Sequence, residues 1–312
     1  ILAPAWGANP GIWIEGENGK LAYGSVQPEM KEALQAYAQW YKEGIIDPEF
    51  TTKDLEKMLQ GEISSSVGVS PYYQYWGYDP GPNVVQNLGA DAIFEPYEIP
   101  SANGGEVKAS VTFANYGYIV VSKGCKNPEA VLKLLNFYAH VMDEGDEEDA
   151  DFINELFGNA YTNIPYALRV INPNTDYNQF VKVSGALEKG LDEDPAALGK
   201  DGVKYSNSVD FIKEGASTGV GDYLQQGGPK AAYRISKEII DNEQYIKDAM
   251  WGPATETLLS AGSTLDDILT EGFTKIIVGE ESIDYFDTLV DNWAKAGGTK
   301  ATEEINETYG NN

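Results

Sequence analysis

Met30, Ala33, Leu34, Tyr37, Trp40 and Tyr41 recur at helical spacing between Pro28 and Gly44, which predicts an amphipathic helix. Pro28 suits its first position, where the missing N–H has no intrahelical acceptor, and Gly44 suits the stop. Ahead of it, Ile12-Trp13-Ile14 and Leu21-Ala22-Tyr23 flank Gly16-Glu17-Asn18-Gly19-Lys20, the pattern of a β-hairpin. A short helix is expected over Asp54 to Gln60, then a β-like run from Ile63 to Val69. Pro80, Gly81 and Pro82 argue against regular structure after that run. The intervening aromatics are therefore placed on a strand end and the loop beyond it.

Phe94 to Pro100 reads as extended, and Tyr118-Ile119-Val120-Val121 as a continuous apolar strand. Asn127 as cap and Pro128 in the first turn then open a helix with Val131, Leu134, Leu135 and Tyr138 on one face. Strand, short turn and capped helix make a βα unit, so the fold class expected is α/β. The acidic run Asp143 to Asp151 reads as a solvated helix start or linker. Residues 158 to 226, rich in Gly, Asn, Ser and Asp, carry no legible period. A helix is expected from Lys230 to Ile246. Thr264-Leu265-Asp266-Asp267 offers a capping box ahead of Ile268, Leu269, Phe273 and Ile276. Ser282 is expected to cap a last helix bearing Ile283, Phe286, Leu289, Val290 and Trp293, stopped by Gly297-Gly298.

The 312 residues allow two ordinary domains or one large one, and 42% hydrophobic content with 12% aromatics argues for a packed chain. Charge narrows the partners. Asp and Glu number 49 against 22 Lys and Arg, a net −27, and Arg169 and Arg234 are the only arginines. Nucleic acid and anionic membrane surfaces both demand clustered cations, so neither is an expected partner. Cys125, the single cysteine, permits no intramolecular disulfide and no thiolate cluster. No apolar run reaches the roughly 18 residues of a membrane span.

Gly215-Ala216-Ser217-Thr218-Gly219 matches the G-x-S-x-G nucleophile elbow, which needs a buried strand before it and a later His. Ser208 to Glu214 is too polar for a buried strand, and His140, the only histidine, comes earlier. The match reads as chance. His140 reads as a helix-end residue, because a metal site would need further His or Cys ligands. Asp143, Asp146 and Asp149 lack the glycine of a calcium loop. Glycosidase-type carboxylate pairs at about 5 to 10 Å have no specificity among 49 acids. No catalytic residue, metal or cofactor is expected.

The aromatics are more informative. PYYQYWGYDPGP, residues 71 to 82, holds Tyr72, Tyr73, Tyr75, Trp76 and Tyr78. Each ring covers roughly 150 to 250 Å², and its flat apolar face suits the C–H face of a sugar whose hydroxyls pair with neighbouring Asn, Asp and Gln. Packing beneath the loop is an equal reading for Tyr72 and Tyr78.

KEALQAYAQWYKEGIIDPEF, LQGEISSSVGVSPYYQYW and PYEIPSANGGEVKASVTFANYGYIVVSKGCKNPEAVLKLLNFY, in this order, resemble the extracellular solute-binding proteins of ABC importers, family 1. The C-terminal WGPATETLLSAGSTLDDILTEGFTKIIVGEESIDYFDTLVDNWAKAGGTKATEEIN is similar to the end of that family's lipoprotein-type subgroup from Gram-positive bacteria. The resemblance covers residues 20 to 140 and 250 to 309. It implies a periplasmic-binding-protein-like two-lobe fold of class II type, with the ligand between lobes that close about a hinge.

On that resemblance, residues 1–97 form the first part of the second lobe, 98–140 a return segment of the first lobe, and 141–312 the second lobe with the C-terminal helices. Hinge strands fall near Phe94 to Ile99 and Val141 to Asp146. Members resemble proteins of roughly 500 residues, enough for two ordinary domains, so the N-terminal half-lobe and the lipoprotein signal would precede Ile1. The implied function is capture of a carbohydrate, an oligosaccharide by expectation, outside the cell and without catalysis. Delivery is to ABC permease membrane subunits by a monomer whose full-length form is lipid-anchored. Tyr75 and Trp76 match the family's stacking aromatic, which leaves Tyr72, Tyr73 and Tyr78 as scaffolding, and Trp6 matches a cleft position. Asn115 and Tyr116 precede the returning strand, and Trp251 opens an element near the cleft. The alternative is a secreted glycoside hydrolase or lyase with aromatic subsites. An adhesin or sensor retaining the fold is a third reading, and peptides or modified sugars also suit aromatic clefts.

Overall fold

The computed structural model describes residues 1–16, 19–71, 73–92, 94–113, 119–140 and 174–310. Tyr72, Asn115, Tyr116, Tyr118 and the acidic run after Val141 lie outside them. In chain order the main elements are β1 (Trp13–Glu15), β2 (Leu21–Tyr23), α1 (Pro28–Lys42), α2 (Leu55–Ile63), α3 (Gly81–Leu88), β3 (Ala109–Val111), α4 (Glu129–Ala139), α5 (Thr175–Lys189), α6 (Gly202–Glu214), α7 (Ala232–Asp241), β4 (Tyr245–Lys247), α8 (Glu256–Val278), α9 (Tyr285–Trp293) and α10 (Thr299–Tyr309). β1 pairs antiparallel with β2, Ile14 opposite Ala22, and β3 pairs parallel with β4, Ser110 opposite Ile246. The described residues are mixed helix and sheet, mostly helical. They divide into two units, Ile1–Met58, Glu98–Ala114 and Glu238–Asn312 against Leu59–Tyr97 and Asn115–Lys237.

In the first unit, Trp13 and Leu21 of the hairpin bury against Leu265 and Leu269 of α8, Leu289 and Trp293 of α9, and Ile305 of α10. A second cluster joins Met30, Ala33 and Leu34 of α1 to Ile276 and Phe286. Each Leu, Ile, Met or Phe among them withdraws apolar area worth about 1.5 to 3 kcal/mol when fully buried. The predicted face of α1 is thus its buried face, and Gly44 after it takes φ +73, as a helix-ending glycine should. The hairpin is fixed by side chains from far along the chain. The Asn306 amide donates to the Leu21 carbonyl and accepts from its N–H, both at 2.8 Å. Asp248 accepts from the Trp13 and Met250 N–H groups at 3.0 Å, and burial pushes its carboxyl above the usual range.

Two C-terminal expectations are corrected here. Thr264 to Asp267 are not a cap but lie in the middle of α8, which runs unbroken from Glu256. Leu265 within that stretch and Leu269 just beyond it are buried, and tertiary packing overrides the weak Gly262-Ser263 propensity. The start of α8 is capped from α10. Glu304 accepts from the Thr257 N–H at 2.9 Å and its hydroxyl at 2.7 Å, placing an anion where the helix dipole favours one. Those bonds hold its carboxyl at about 2. Likewise, Ser282 does not cap the last helix: α9 opens after Asp284, and Gly297, at φ 134, bends the chain into α10 instead of stopping it. A Cβ on Gly298 would lie 2.3 Å from the Trp293 indole, so glycine is needed for the close approach.

The second unit departs further from expectation. Ile63 ends α2, and the run to Val69 forms no strand. The hydroxyls of Ser64 and Ser66 bond back to the Gly61 carbonyl at 3.2 and 3.0 Å, a local alternative to pairing. Pro80 to Pro82 do not exclude regular structure. They open α3, with Pro82 in the first turn where no N–H is needed. Residues 119–121 form no strand and Val120 is 86% exposed, so the predicted βα unit is absent among the described residues. α4 follows Pro128 with no Asn127 side-chain cap, and Leu134 on its predicted inner face is exposed. Across the sequence boundary into the first unit, the helix expected from Lys230 to Ile246 spans Ala232–Asp241; Glu243 turns at φ +54 and β4 follows.

The part of 158–226 that is described is mostly helical. Val183 and Ala186 of α5 pack on Tyr205 and Val209 of α6. Val85 of α3, Phe211 of α6, and Val220 and Leu224 form a neighbouring core. G-x-S-x-G therefore follows a helix, whose end Gly215 takes φ +67, and not the strand an elbow needs.

Candidate functional site

The aromatic stretch belongs to the second unit, where its rings have different environments. Trp76 is half-buried, its Nε1–H donating to Glu62, a fully buried carboxylate of α2. Its ring meets Phe94 at 5.0 Å and packs against the Val85 and Val220 core. The other Glu62 oxygen is buried without a partner. The hydroxyl of Tyr78 donates to Asp222 and accepts from Lys204 at 2.8 Å. Asp222, 4% exposed, also takes Lys204 at 3.1 Å and the Asn207 amide at 2.8 Å. Three donors from two elements thus anchor this loop on one buried carboxylate.

Tyr73 and Tyr75 face outward. They are 59% and 41% exposed and stack on each other with centroids 5.4 Å apart and planes within 10°. Burial first, then Asp176, pushes the phenol of Tyr233 above its ordinary pKa, with Gln74 acting the other way. Tyr73, expected to be scaffolding, is therefore the more exposed member of the pair.

In the first unit, Trp6 closes a short helical turn, Ala3–Trp6, and sets its ring edge-on to Tyr37 and tilted to Trp40, each at 5.6 Å. Burial pushes the Tyr37 phenol up to about 12. Trp251 is 50% exposed and meets Phe113 edge-on at 5.2 Å. The turn that carries it is held by Asp248, through the Met250 N–H. Asn115 and Tyr116 lie outside the described residues.

The structure thus joins Tyr75 to Tyr73, Trp76 to Phe94, Trp6 to Tyr37 and Trp40, and Trp251 to Phe113. Tyr37, Trp40, Phe94 and Phe113 were not singled out by sequence. The first two sit three residues apart on the apolar face of α1, where amphipathic rings pass for core. Chemically these clusters offer flat apolar faces with hydroxyl and amide groups nearby. Among the described residues no group of three His, Cys, Asp or Glu could hold a metal ion, His140 is exposed at the end of α4, and no helix is long and apolar enough to cross a membrane.

No family model matches the chain. It is 24% identical over 319 residues to lipoprotein LipO of Bacillus subtilis (strain 168), an alignment covering 94% of this chain and 53% of that protein. In fold it is similar to the crystal structure of alginate-binding protein AlgQ2 without calcium ion, with a TM-score of 0.57 and 15% identity over 99% of this chain and 61% of that one. The chain spans about half the length of the curated relative it matches. It shares its fold with a binding protein.

Proposed function

We propose that this chain is the carbohydrate-binding part of a solute-binding protein serving an ABC importer, and that it captures an oligosaccharide without altering it. The observation that carries the reading is the likeness in fold, along 99% of the chain, to a protein named for binding alginate. Likeness to a protein named a lipoprotein supports an extracellular, lipid-anchored place; on this reading the protein works as a monomer and delivers to permease subunits. Trp76, Tyr75 and Trp6 serve as ring platforms, with Asn115, Tyr116 and Trp251 as further ligand contacts. A net charge of −27 leaves neutral ligands unhindered.

Isothermal titration against neutral and acidic oligosaccharides, with chromatography of the mixture afterwards, tests this. Saturable binding with the sugar recovered intact is the expected result. Shortened or unsaturated products would instead identify a glycoside hydrolase or lyase, and absence of binding across the set would end the carbohydrate reading.

A further inference from the structure

We infer that Asn103 is a self-modification site, at which the chain converts its own asparagine to aspartate and isoaspartate through a cyclic imide. The sequence holds two Asn-Gly pairs, Asn18-Gly19 and Asn103-Gly104, and the fold sets them apart. Asn103 and Gly104 lie on an exposed turn of the first unit, where water reaches both. The Asn103 Oδ1 accepts from the Gly105 N–H at 3.0 Å and from the Ser101 hydroxyl at 3.3 Å. Two donors on one amide oxygen withdraw electron density from Cγ. They are also in place for the negative charge that this oxygen takes up when a nucleophile adds.

The nucleophile is the next peptide nitrogen. Gly104 takes φ +81, and a Cβ there would meet nothing within 4 Å, so no side chain crowds the approach. One residue along the same chain, its nitrogen is held beside Cγ at high effective concentration. At Gly19 the corresponding N–H is spent on the Gly16 carbonyl at 3.1 Å. Among the described residues the Gly104 N–H has no such acceptor. Hydroxide takes the Gly104 N–H proton, the nitrogen bonds to Cγ, and the Cγ–Nδ2 bond breaks as Nδ2 takes up a proton and leaves as ammonia. Water then opens the ring. Addition at Cγ returns the ordinary main chain with an aspartate; addition at the main-chain carbonyl carbon gives isoaspartate, with the chain running through Cβ and Cγ. Either product adds one negative charge to the net −27, and isoaspartate lengthens the main chain by one carbon. The N–H of Ala102, the residue before, bonds to the Ala5 carbonyl at 2.8 Å, so the lengthened chain acts on the turn that carries Trp6.

The test is incubation of the wild-type chain and variants at mildly alkaline pH, followed over time by peptide mass mapping and by enzymatic methylation of isoaspartate. The expected result is the mass gain of an amide becoming an acid at Asn103, well ahead of Asn18. Ser101→Ala, which removes one donor from Oδ1, slows it roughly two- to tenfold, the worth of one hydrogen bond. Ser101→Thr, which keeps a hydroxyl, restores the rate, and Asn103→Gln abolishes conversion at that position. In concentrated urea the two Asn-Gly pairs convert alike, because the contacts that separate them are gone. Conversion at Asn18 as fast as at Asn103 in the folded chain overturns the inference. So does a Ser101→Ala rate equal to wild type, or a preference for Asn103 that persists unchanged in urea.

Discussion

Replacing Asp222 by leucine removes the carboxylate on which Tyr78, Lys204 and Asn207 converge. The site is buried, and Lys204 has only 22% of its side chain in solvent, so water rescues the stranded ammonium poorly. Removing one partner of a buried pair costs about 3 to 5 kcal/mol. Lys204's partial exposure argues for the lower half of that range. With a urea m-value of about 2 kcal/mol/M, the midpoint of the second unit falls by about 1.5 to 2 M. Because the two units need not unfold together, the assay is hydrogen exchange read by peptide across a urea series, which reports each unit separately. Lys204→Met alone should also destabilise, but Asp222→Leu with Lys204→Met should recover at least about 2 kcal/mol of the summed losses, since no charge is left unpaired. Additive losses, or a shift confined to first-unit peptides, would refute the argument that this cluster anchors the aromatic loop.

Glu304 gives a pH signature. Its carboxyl is held at about 2 by Thr257, against 4.5 ordinarily, so its contribution is complete above pH 4.5 and is lost as pH falls towards 2. Thermal melts of the wild-type chain should show first-unit stability declining across that window, and Glu304→Gln should flatten the decline; equal slopes in the two proteins would count against the cap. Gly298→Ala places a methyl 2.3 Å from the rigid Trp293 indole and should cost about 1 to 3 kcal/mol by overpacking, measured by urea unfolding. An unchanged midpoint would mean the α9 to α10 bend yields without strain.

What could be read from the sequence was local. α1 was legible because Pro28, Gly44 and the spacing of Met30 to Tyr41 agree with one another, and the hairpin because its turn residues lie between two short apolar runs. α5 and α6 were not, because their buried faces include Gln179, Ser184 and Ser208. Those groups are satisfied by Asp201, by the Phe180 carbonyl and by the Lys204 carbonyl, which a hydrophobic pattern cannot register. The start of α8 was missed because its cap, Glu304, stands 47 residues from Thr257. The crowding of aromatics drew attention to residues 72–78, but the carboxylates that engage Trp76 and Tyr78, Glu62 and Asp222, lie 14 and 144 residues away, beyond the reach of a one-dimensional pattern. Tyr73 consequently passed for scaffolding.

The Asn306 amide that completes β2 lies 285 residues beyond Leu21. A ribosome adding about 5 to 20 residues per second takes roughly 15 to 60 s to supply it. Through most of that interval Trp13 and Leu21 lack Asp248, Leu265 and Leu269, the first-made of the distant groups that hold them. Leu59–Tyr97 and the described residues of Asn115–Lys237 have meanwhile all left the ribosome before the last segment of the first unit is made. During synthesis the hairpin waits for partners made hundreds of residues later, and this window is where a chaperone would find it.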